Sequence, residues 1–356
     1  TGLSAFTIQS AINVWYAAVL TLAAGQLAWR LAGRAAVGPA MVIALIGLNP
    51  FGAWLWLARA LFRHHGGLPA AWALLAGLGG AMQSLTFGFS AVQSSLLDRF
   101  WTGTALTPAI AIGLTLAWSV AVLVAGGSRR GTTRVFALVL VMAAWHPAYA
   151  ALVAAALVAG LVAALPGARV RECIAGALAL ALAMSLAAPY VRACSVPGAL
   201  TPVSPGLYRP NLFAMIVGTG VWWMLALPAL IGALRGAQGR MLLVTLLVTS
   251  AMALFVVLPE RNSEKILYAV WVLLAPFSAA GAIGWEKRLR WPRWRTVALV
   301  LALALPTTFL YVAGVARESR SPGVLIRGET EANRGLPLVT SGEREAYTRL
   351  RETTPG

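Results

Sequence analysis

The sequence predicts an all-α protein, a polytopic integral membrane helix bundle. Hydrophobic residues make up 59% of its 356 residues and charged residues only 11%, a balance that is not typical of soluble domains. Apolar segments of about 20 residues, the length that a helix needs to cross a bilayer, recur along the whole chain. The net charge of +17 is carried mostly by arginines in short loops between these segments. This distribution indicates membrane lipids, and not nucleic acid, as the partners of the positive charge.

About twelve crossings are expected, and four of them are short. The apolar segments cover residues 10–29, 36–62, 69–89, 105–125, 135–145, 148–165, 173–191, 211–234, 241–258, 263–284 and 296–316. Proline interrupts two long runs, at Asn49-Pro50 and at His146-Pro147. Proline removes a helix hydrogen bond and disfavours helical geometry in the residue before it. Each interruption therefore predicts a pair of short helices in place of one kinked span.

The loop charges predict the orientation of the bundle. Alternate loops carry 16 Lys and Arg residues, whereas the loops on the opposite side carry five. By the positive-inside rule, the 16-charge loops face the cytoplasm. Residues 1–316 are then expected to form the transmembrane bundle and residues 317–356 an extracytoplasmic tail. A capping box at residues 340–343 opens a short helix near the chain end, which predicts the start of a removed soluble domain.

One outer loop, residues 258–265, concentrates polar and charged residues at the mouth of a membrane helix. It holds two carboxylates, two cations and an amide: Glu260, Arg261, Asn262, Glu264 and Lys265. Lys265 is expected in the first helical turn, where the helix dipole disfavours a cation. A cation kept there favours contact with an anionic headgroup or a phosphate. The alternative interpretation is a polar loop whose Arg and Lys extend to the membrane interface.

Two other outer segments carry candidate site residues. Asp98, the only Asp in the chain, stands beside Arg99 in the polar connection 90–104. The loop 192–210 contains four prolines, and its Tyr208 and Arg209 are placed to cover a sugar or a headgroup; a stiff connector without a ligand is the alternative. No spacing of His, Cys or carboxylates predicts a metal site.

Three features together resemble the GT-C-type membrane glycosyltransferases, which use polyprenyl-phosphate-linked sugars at the outer side of bacterial membranes. These features are the 258–265 loop with its helix, the stretch 94–104 running into a membrane helix, and the tail 340–355. The resemblance implies that the protein lies in the bacterial inner membrane and transfers a sugar from an isoprenoid phosphate to an acceptor at the outer face. The sugar donor is then the polyprenyl-phosphate-linked lipid, and dependence on a divalent metal is left open.

The resemblance also implies residue roles. A carboxylate acts as general base on the acceptor hydroxyl, and Asp98 is the best placed in this chain. Cations stabilise the leaving phosphate, a role for Arg261 and Lys265. Asn262 and Glu264 orient sugar hydroxyls or the cations.

The chain departs from the family pattern in one respect, and two other classes of protein are alternatives. GT-C proteins carry a catalytic carboxylate in a large first outer loop, and no such loop occurs here. Either an N-terminal portion is missing, as the start at Thr1 instead of Met also indicates, or the chain is a non-catalytic relative. The alternatives are a lipid-linked saccharide flippase or secondary transporter, which broken helices favour, and a non-catalytic structural membrane subunit.

Overall fold

The computed structural model describes residues 5–47, 106–126, 129–194, 204–257 and 263–318. The described residues up to Leu305 belong to one compact unit.

Helices account for nearly all of the described residues. The ten α-helices in these ranges are α1 Ala5–Ala32, α2 Val37–Ile46, α3 Leu106–Val124, α4 Arg129–Trp145, α5 Pro147–Ala164, α6 Val170–Cys194, α7 Arg209–Ala233, α8 Ala237–Phe255, α9 Ser263–Leu289 and α10 Arg293–Glu318. A 3-10 turn, Arg34–Ala36, precedes α2. The strands β1, Ser204–Pro205, and β2, Val256–Val257, form a short antiparallel pair.

The predicted all-α membrane class is confirmed. Within the described ranges, six helices are long and apolar enough to cross a membrane: parts of α1, α6 and α9 and the whole of α3, α5 and α8. Two shorter apolar stretches, Arg34–Ile46 and Gly218–Ala233, accompany them. The chain is therefore a polytopic helical membrane protein.

Helix α9 is the central helix of the bundle. Residues 266–283 are buried at every position, and the helix packs against α1, α2, α3, α7 and α8. A helix that is apolar all round is stable only when protein or lipid covers all of its faces. Here neighbouring helices do so, and the large side chains of Tyr268, Trp271 and Phe277 fill the space between them.

Glycines let the helices approach closely at two crossings. A Cβ at Gly281 of α9 would collide with the carbonyl oxygen of Leu225 in α7. At Gly160 of α5, a Cβ would meet the Thr245 hydroxyl of α8. Without a strong hydrophobic drive between helices in lipid, such contacts supply much of the packing energy.

The break at His146-Pro147 is confirmed, but the helix before it is longer than the sequence predicts, and neither helix is short. Helix α4 has 17 residues and α5 has 18, so each extends about 25 Å along its axis. The prediction started the first of these helices at residue 135 because arginines were assigned to the loop. In the structure α4 begins at Arg129, and Arg134 lies in the helix with its guanidinium 5.7 Å from the ring centre of Trp118.

Helix α2 ends inside the bundle. Its 10 residues span about 15 Å, roughly half of the hydrocarbon thickness. Two buried indoles meet its last carbonyl groups: Trp222 Nε1 donates to Gly47 at 2.8 Å, and Trp271 Nε1 donates to Ala44 at 3.3 Å. The helix therefore stops just before Asn49-Pro50, which itself lies outside the described residues.

The basic loops meet at one end of the bundle. Residues from the ends of five loops line a single cavity there, Arg30, Gly126, Arg169, Gly236 and Lys287. The predicted alternation of loops is consistent with this arrangement. That this end faces the cytoplasm remains a prediction from the positive-inside rule.

Candidate functional site

The end of the bundle opposite the basic loops holds three segments of interest. These are the turn at His146 between α4 and α5, the first turn of α9 with Lys265, and the β1–β2 pair. The sequence placed the His146 turn, Lys265 and the loop that contains β1 at the same face, but it did not predict that Lys265 lies close to His146.

His146 caps the N-terminus of α5. Its backbone is non-helical, with φ −153° and ψ 87°, and Pro147 follows in the first turn, where a missing N–H is no loss. The backbone N–H of Tyr149 donates to His146 Nδ1 at 3.3 Å. The imidazole also meets the Tyr149 ring edge to face at 6.2 Å between centres. Capping and ring packing together fix the orientation of the imidazole.

His146 is neutral at physiological pH. Burial, and then the nearby positive charge of Lys265, lower the pKa of His146 from 6.5 to about 4. Because Nδ1 accepts the hydrogen bond from Tyr149, the proton of the neutral ring is assigned to Nε2. His146 therefore offers an N–H donor that carries no charge.

Lys265 supplies the cation of this site. It lies in the first turn of α9, and its side chain is half-buried. A cation at a helix N-terminus loses stability to the helix dipole, and here it also lies close enough to lower the pKa of His146. The backbone of Glu264 belongs to the same first turn.

The β1–β2 pair joins the proline-rich loop 192–210 to the segment that leads into residues 258–265. Ser204 pairs with Val257 and Pro205 with Val256. The Tyr208 N–H then donates to the Leu254 carbonyl at 2.8 Å. This pairing holds the last part of the loop 192–210 against the end of α8.

Tyr208 and Arg209 lie between the β1–β2 pair and α7. Tyr208 is the N-cap residue of α7 and is half-buried, whereas Arg209 is its first residue and is exposed. Two residues on, the buried Asn211 donates from Nδ2 to the Ala253 carbonyl at 2.7 Å. The start of α7 is thus attached at successive points to the end of α8.

An aromatic rim lies beside the His146 turn. Trp145 meets Tyr16 of α1 edge to face, with ring centres 6.2 Å apart. The Tyr190 hydroxyl of α6 donates to the Ala144 carbonyl at 3.3 Å. Tyr and Trp favour the membrane–water interface because they join an apolar ring to a polar group. The rim therefore indicates that this turn lies near the membrane surface.

The structure places only part of the predicted site. Lys265, Tyr208 and Arg209 are found at this end, together with the backbone of Glu264. The remaining predicted residues lie outside the described ranges: Asp98, Arg99, Glu260, Arg261 and Asn262.

Two residues of this end were not predicted as site residues. The sequence placed His146 at a helix break and an outer turn but indicated no site role for it, although a His before a Pro at such a turn was the signal available. Asn211 showed no pattern in the sequence, since its partner Ala253 lies 42 residues away. Among the described residues there is no group of three His, Cys, Asp or Glu side chains that could hold a metal ion.

The described groups suit anion binding better than proton abstraction. A general base works best with a pKa near the ambient pH, and a His146 with a pKa of about 4 is too weak. The ammonium of Lys265 and the Nε2–H of His146 are both donors, the set that phosphate oxygens accept. The fold is that of a polytopic membrane protein, and the end of the bundle at His146 carries two hydrogen-bond donors, Lys265 and His146.

Comparisons with known proteins found two solved structures, both of the Archaeoglobus fulgidus oligosaccharyltransferase. In the first, that protein is tethered with an acceptor peptide containing the NVT sequon. The TM-score is 0.38 and the sequence identity 13%, and the match covers 100% of this chain and 47% of that chain. The other, a complex with Zn and sulfate, has a TM-score of 0.35 and 14% identity over 98% of this chain and 44% of that chain. This chain thus spans less than half of their length. No family model matches the chain, and no curated protein does so.

Proposed function

We propose that the protein is a membrane glycosyltransferase that moves a sugar from a polyprenyl-phosphate carrier to an acceptor at the outer face of the bacterial inner membrane. The observation that carries the proposal is the position of Lys265 beside the neutral imidazole of His146, at the end of the bundle that lacks the basic loops. A carrier lipid presents its phosphate at that depth, where the polar headgroup region begins.

In this function the phosphate of the carrier binds to the start of α9. Lys265 and Arg261 contribute charge-assisted hydrogen bonds, and His146 Nε2–H is available as an uncharged third donor. The same donors stabilise the negative charge that grows on the phosphate as the sugar leaves. The isoprenoid chain lies along the apolar outside of the bundle.

The other predicted residues surround that phosphate. Tyr208 and Arg209 are held at the start of α7, from which they cover the sugar. Glu260, Asn262 and Glu264 orient sugar hydroxyls or the cations.

Asp98 is our candidate general base on the acceptor hydroxyl, and Arg99, next to it in the sequence, is a candidate phosphate ligand. This assignment has a direct test. Asp98→Asn should abolish transfer to the acceptor and leave carrier-lipid binding intact. Unchanged transfer would assign the base to another carboxylate.

The binding part of the proposal is tested with the purified chain in a neutral detergent, by thermophoresis against a polyprenyl monophosphate. Arg261→Ala and Lys265→Ala should each weaken binding by about 1–3 kcal/mol, roughly 5- to 150-fold. Arg235→Ala, in an exposed loop at the basic end, controls for the loss of mere positive charge. The free polyprenol of the same length should bind weakly to all variants. An equal loss at Arg235 would mean general attraction to anionic lipid, and no loss at Lys265 would contradict the proposed site.

A lipid-linked saccharide flippase is the second candidate, because α2 ends inside the bundle, as the broken helices of transporters do. In transporters such ends bind ions or substrate, whereas here the indoles of Trp222 and Trp271 occupy the carbonyl groups of Gly47 and Ala44. Reconstitution into liposomes with a fluorescent polyprenyl-linked sugar separates the two functions. Movement of the intact lipid between leaflets without transfer of its sugar would favour the flippase, and neither activity would favour a structural subunit.

A further inference from the structure

A second concave site lies at the basic end of the bundle, opposite the His146 turn. It is a cavity of about 660 Å³, within the usual range of small-molecule sites. Ala and Gly residues from α3, α7, α8 and α9 form most of its wall. None of the predicted functional residues belongs to it.

Three cations line this cavity, and they come from separate parts of the chain. Arg30 is at the end of α1, Arg169 precedes α6, and Lys287 is in the last turns of α9. None of the lining residues is Asp or Glu. Within the described part of the chain, no hydrogen bond or ion pair engages the side chains of these three residues.

A neighbouring arginine shows the contrast. Arg240, which is not among the lining residues, donates to the carbonyl groups of Ala163 and Leu234 at 3.3 and 3.1 Å and also to that of Pro166. Its guanidinium therefore holds loops together. The three lining cations have no such structural role among the described residues, which leaves their charge available for a ligand.

The helix ends around the cavity do not cancel this charge. Helices α1, α3, α7 and α9 end beside it, and α6 and α8 begin there. Each helix C-terminus contributes about −0.5 charge at most and each N-terminus about +0.5. Three full positive charges and two N-termini exceed four C-termini, so the lining of the cavity carries a net positive charge.

One hydrogen bond joins two helices of the wall, Arg169 lies close to Gly126, and two glycines leave the interior open. Gln238 donates from Nε2 to the Ala121 carbonyl at 2.6 Å, which joins α8 to α3. The guanidinium carbon of Arg169 lies 3.9 Å from the position of a Cβ on Gly126, whose φ of +98° favours glycine. At Gly232 and Gly236, a Cβ would meet nothing within 4 Å. The space beside these glycines is therefore open to a ligand.

We propose that this cavity binds a phosphate-bearing anion, with Arg30, Arg169 and Lys287 as its ligands. The phosphate belongs either to the headgroup of an anionic phospholipid or to a soluble phosphate ester. This site goes beyond the proposed transfer reaction and does not depend on it, since the two lie at opposite ends of the bundle.

The test measures binding of three soluble probes to the purified full chain in a neutral detergent, by thermophoresis. The probes are a short-chain phosphatidylglycerol below its micelle concentration, glycerol phosphate, and a short-chain phosphatidylcholine as the zwitterionic control. Arg169→Gln should weaken binding of the anionic probe about tenfold or more. Arg169→Lys should recover part of it, because a charge returns without the planar fork. Arg171→Gln, two residues away, exposed and outside the cavity, should have no effect.

A second pair of variants blocks the space without changing charge. Gly232→Leu fills the cavity and should abolish binding. Gly218→Leu lies in the same helix, also has nothing within 4 Å of a Cβ, and is outside the cavity, so it should bind as the unchanged protein does. This pair separates occlusion from an effect of leucine on the folding of α7.

Either anionic probe supports the proposal, and the difference between them identifies the source of the phosphate. Binding of phosphatidylglycerol alone identifies a lipid headgroup, and binding of glycerol phosphate identifies a soluble ester. Equal loss in Arg169→Gln and Arg171→Gln would overturn the proposal in favour of general charge attraction. So would phosphatidylcholine binding as tightly as phosphatidylglycerol, or no binding of either anionic probe. None of these results depends on polyprenyl phosphate, so the outer-face proposal stands or fails separately.

Discussion

The His146 turn makes stability depend on pH in a direction that the structure fixes. The pKa of His146 is about 4 in the folded protein and 6.5 when unperturbed. As the pH falls below 6.5, the unfolded chain takes up a proton that the folded chain refuses. Stability is therefore fully present above that pH and is lost as the pH falls toward 4. Protonation also removes the acceptor for the Tyr149 N–H, so it weakens the cap of α5.

The magnitude follows from the two pKa values. A shift of this size corresponds to about 3 kcal/mol when complete, of which about 2 kcal/mol is lost between about pH 7.5 and about pH 5. His146→Asn removes the titration but keeps a side chain that caps helices well. The variant should therefore be close to the unchanged protein in stability at the higher pH and lose about 2 kcal/mol less on acidification.

The free energy of unfolding is measured at both pH values by denaturant titration in a mild detergent, with tryptophan fluorescence as the signal. His146→Ala controls for the cap: it also lacks the titration, so it should be about 1 kcal/mol less stable than His146→Asn at both pH values. Lys265→Gln removes only the smaller cause of the lowered pKa, so it should reduce the pH dependence without removing it. If His146→Asn lost as much stability on acidification as the unchanged protein, a buried neutral imidazole at this turn would be refuted.

Three further predictions concern topology and packing. If the positive-inside orientation holds, a membrane-impermeant thiol reagent applied to intact cells should label Cys194 at the C-terminal end of α6 and leave Cys173 unlabelled. Labelling of Cys173 would reverse the orientation. Gly281→Ala should cost about 1–3 kcal/mol of unfolding free energy in the same titration, since the added methyl meets the backbone of α7. The control Gly232→Ala has open space around it, so its stability should be unchanged or higher. If Gly281→Ala and Gly232→Ala lost the same stability, the close crossing of α7 and α9 at Gly281 would be contradicted. Trp222→Phe should cost about 1–3 kcal/mol because it leaves a buried carbonyl without its donor, and an unchanged stability would mean that this carbonyl has another partner.

The site could be predicted only in part. Residues 258–265 stood out because charges cluster at a helix mouth, and Lys265 is found there beside His146. The partner could not be predicted, because Lys265 lies 119 positions after His146 in the chain and no local pattern links them. The roles of Asp98 and Arg261 stay predictions, as both residues lie outside the described ranges.

The class of protein, the alternation of loop charge and the helix break at His146-Pro147 can all be predicted from local sequence. Each depends on features of a short stretch: apolar length, the count of arginines, and the missing N–H of proline. The packing of the helices was needed to show which helix is central, which indoles cap α2, and which basic loops share a cavity. In each case the contact joins residues far apart in the chain, as Trp222 and Gly47 are. Helix packing brings such residues together through the shapes of whole surfaces, and periodicity within one helix carries no information about its partner.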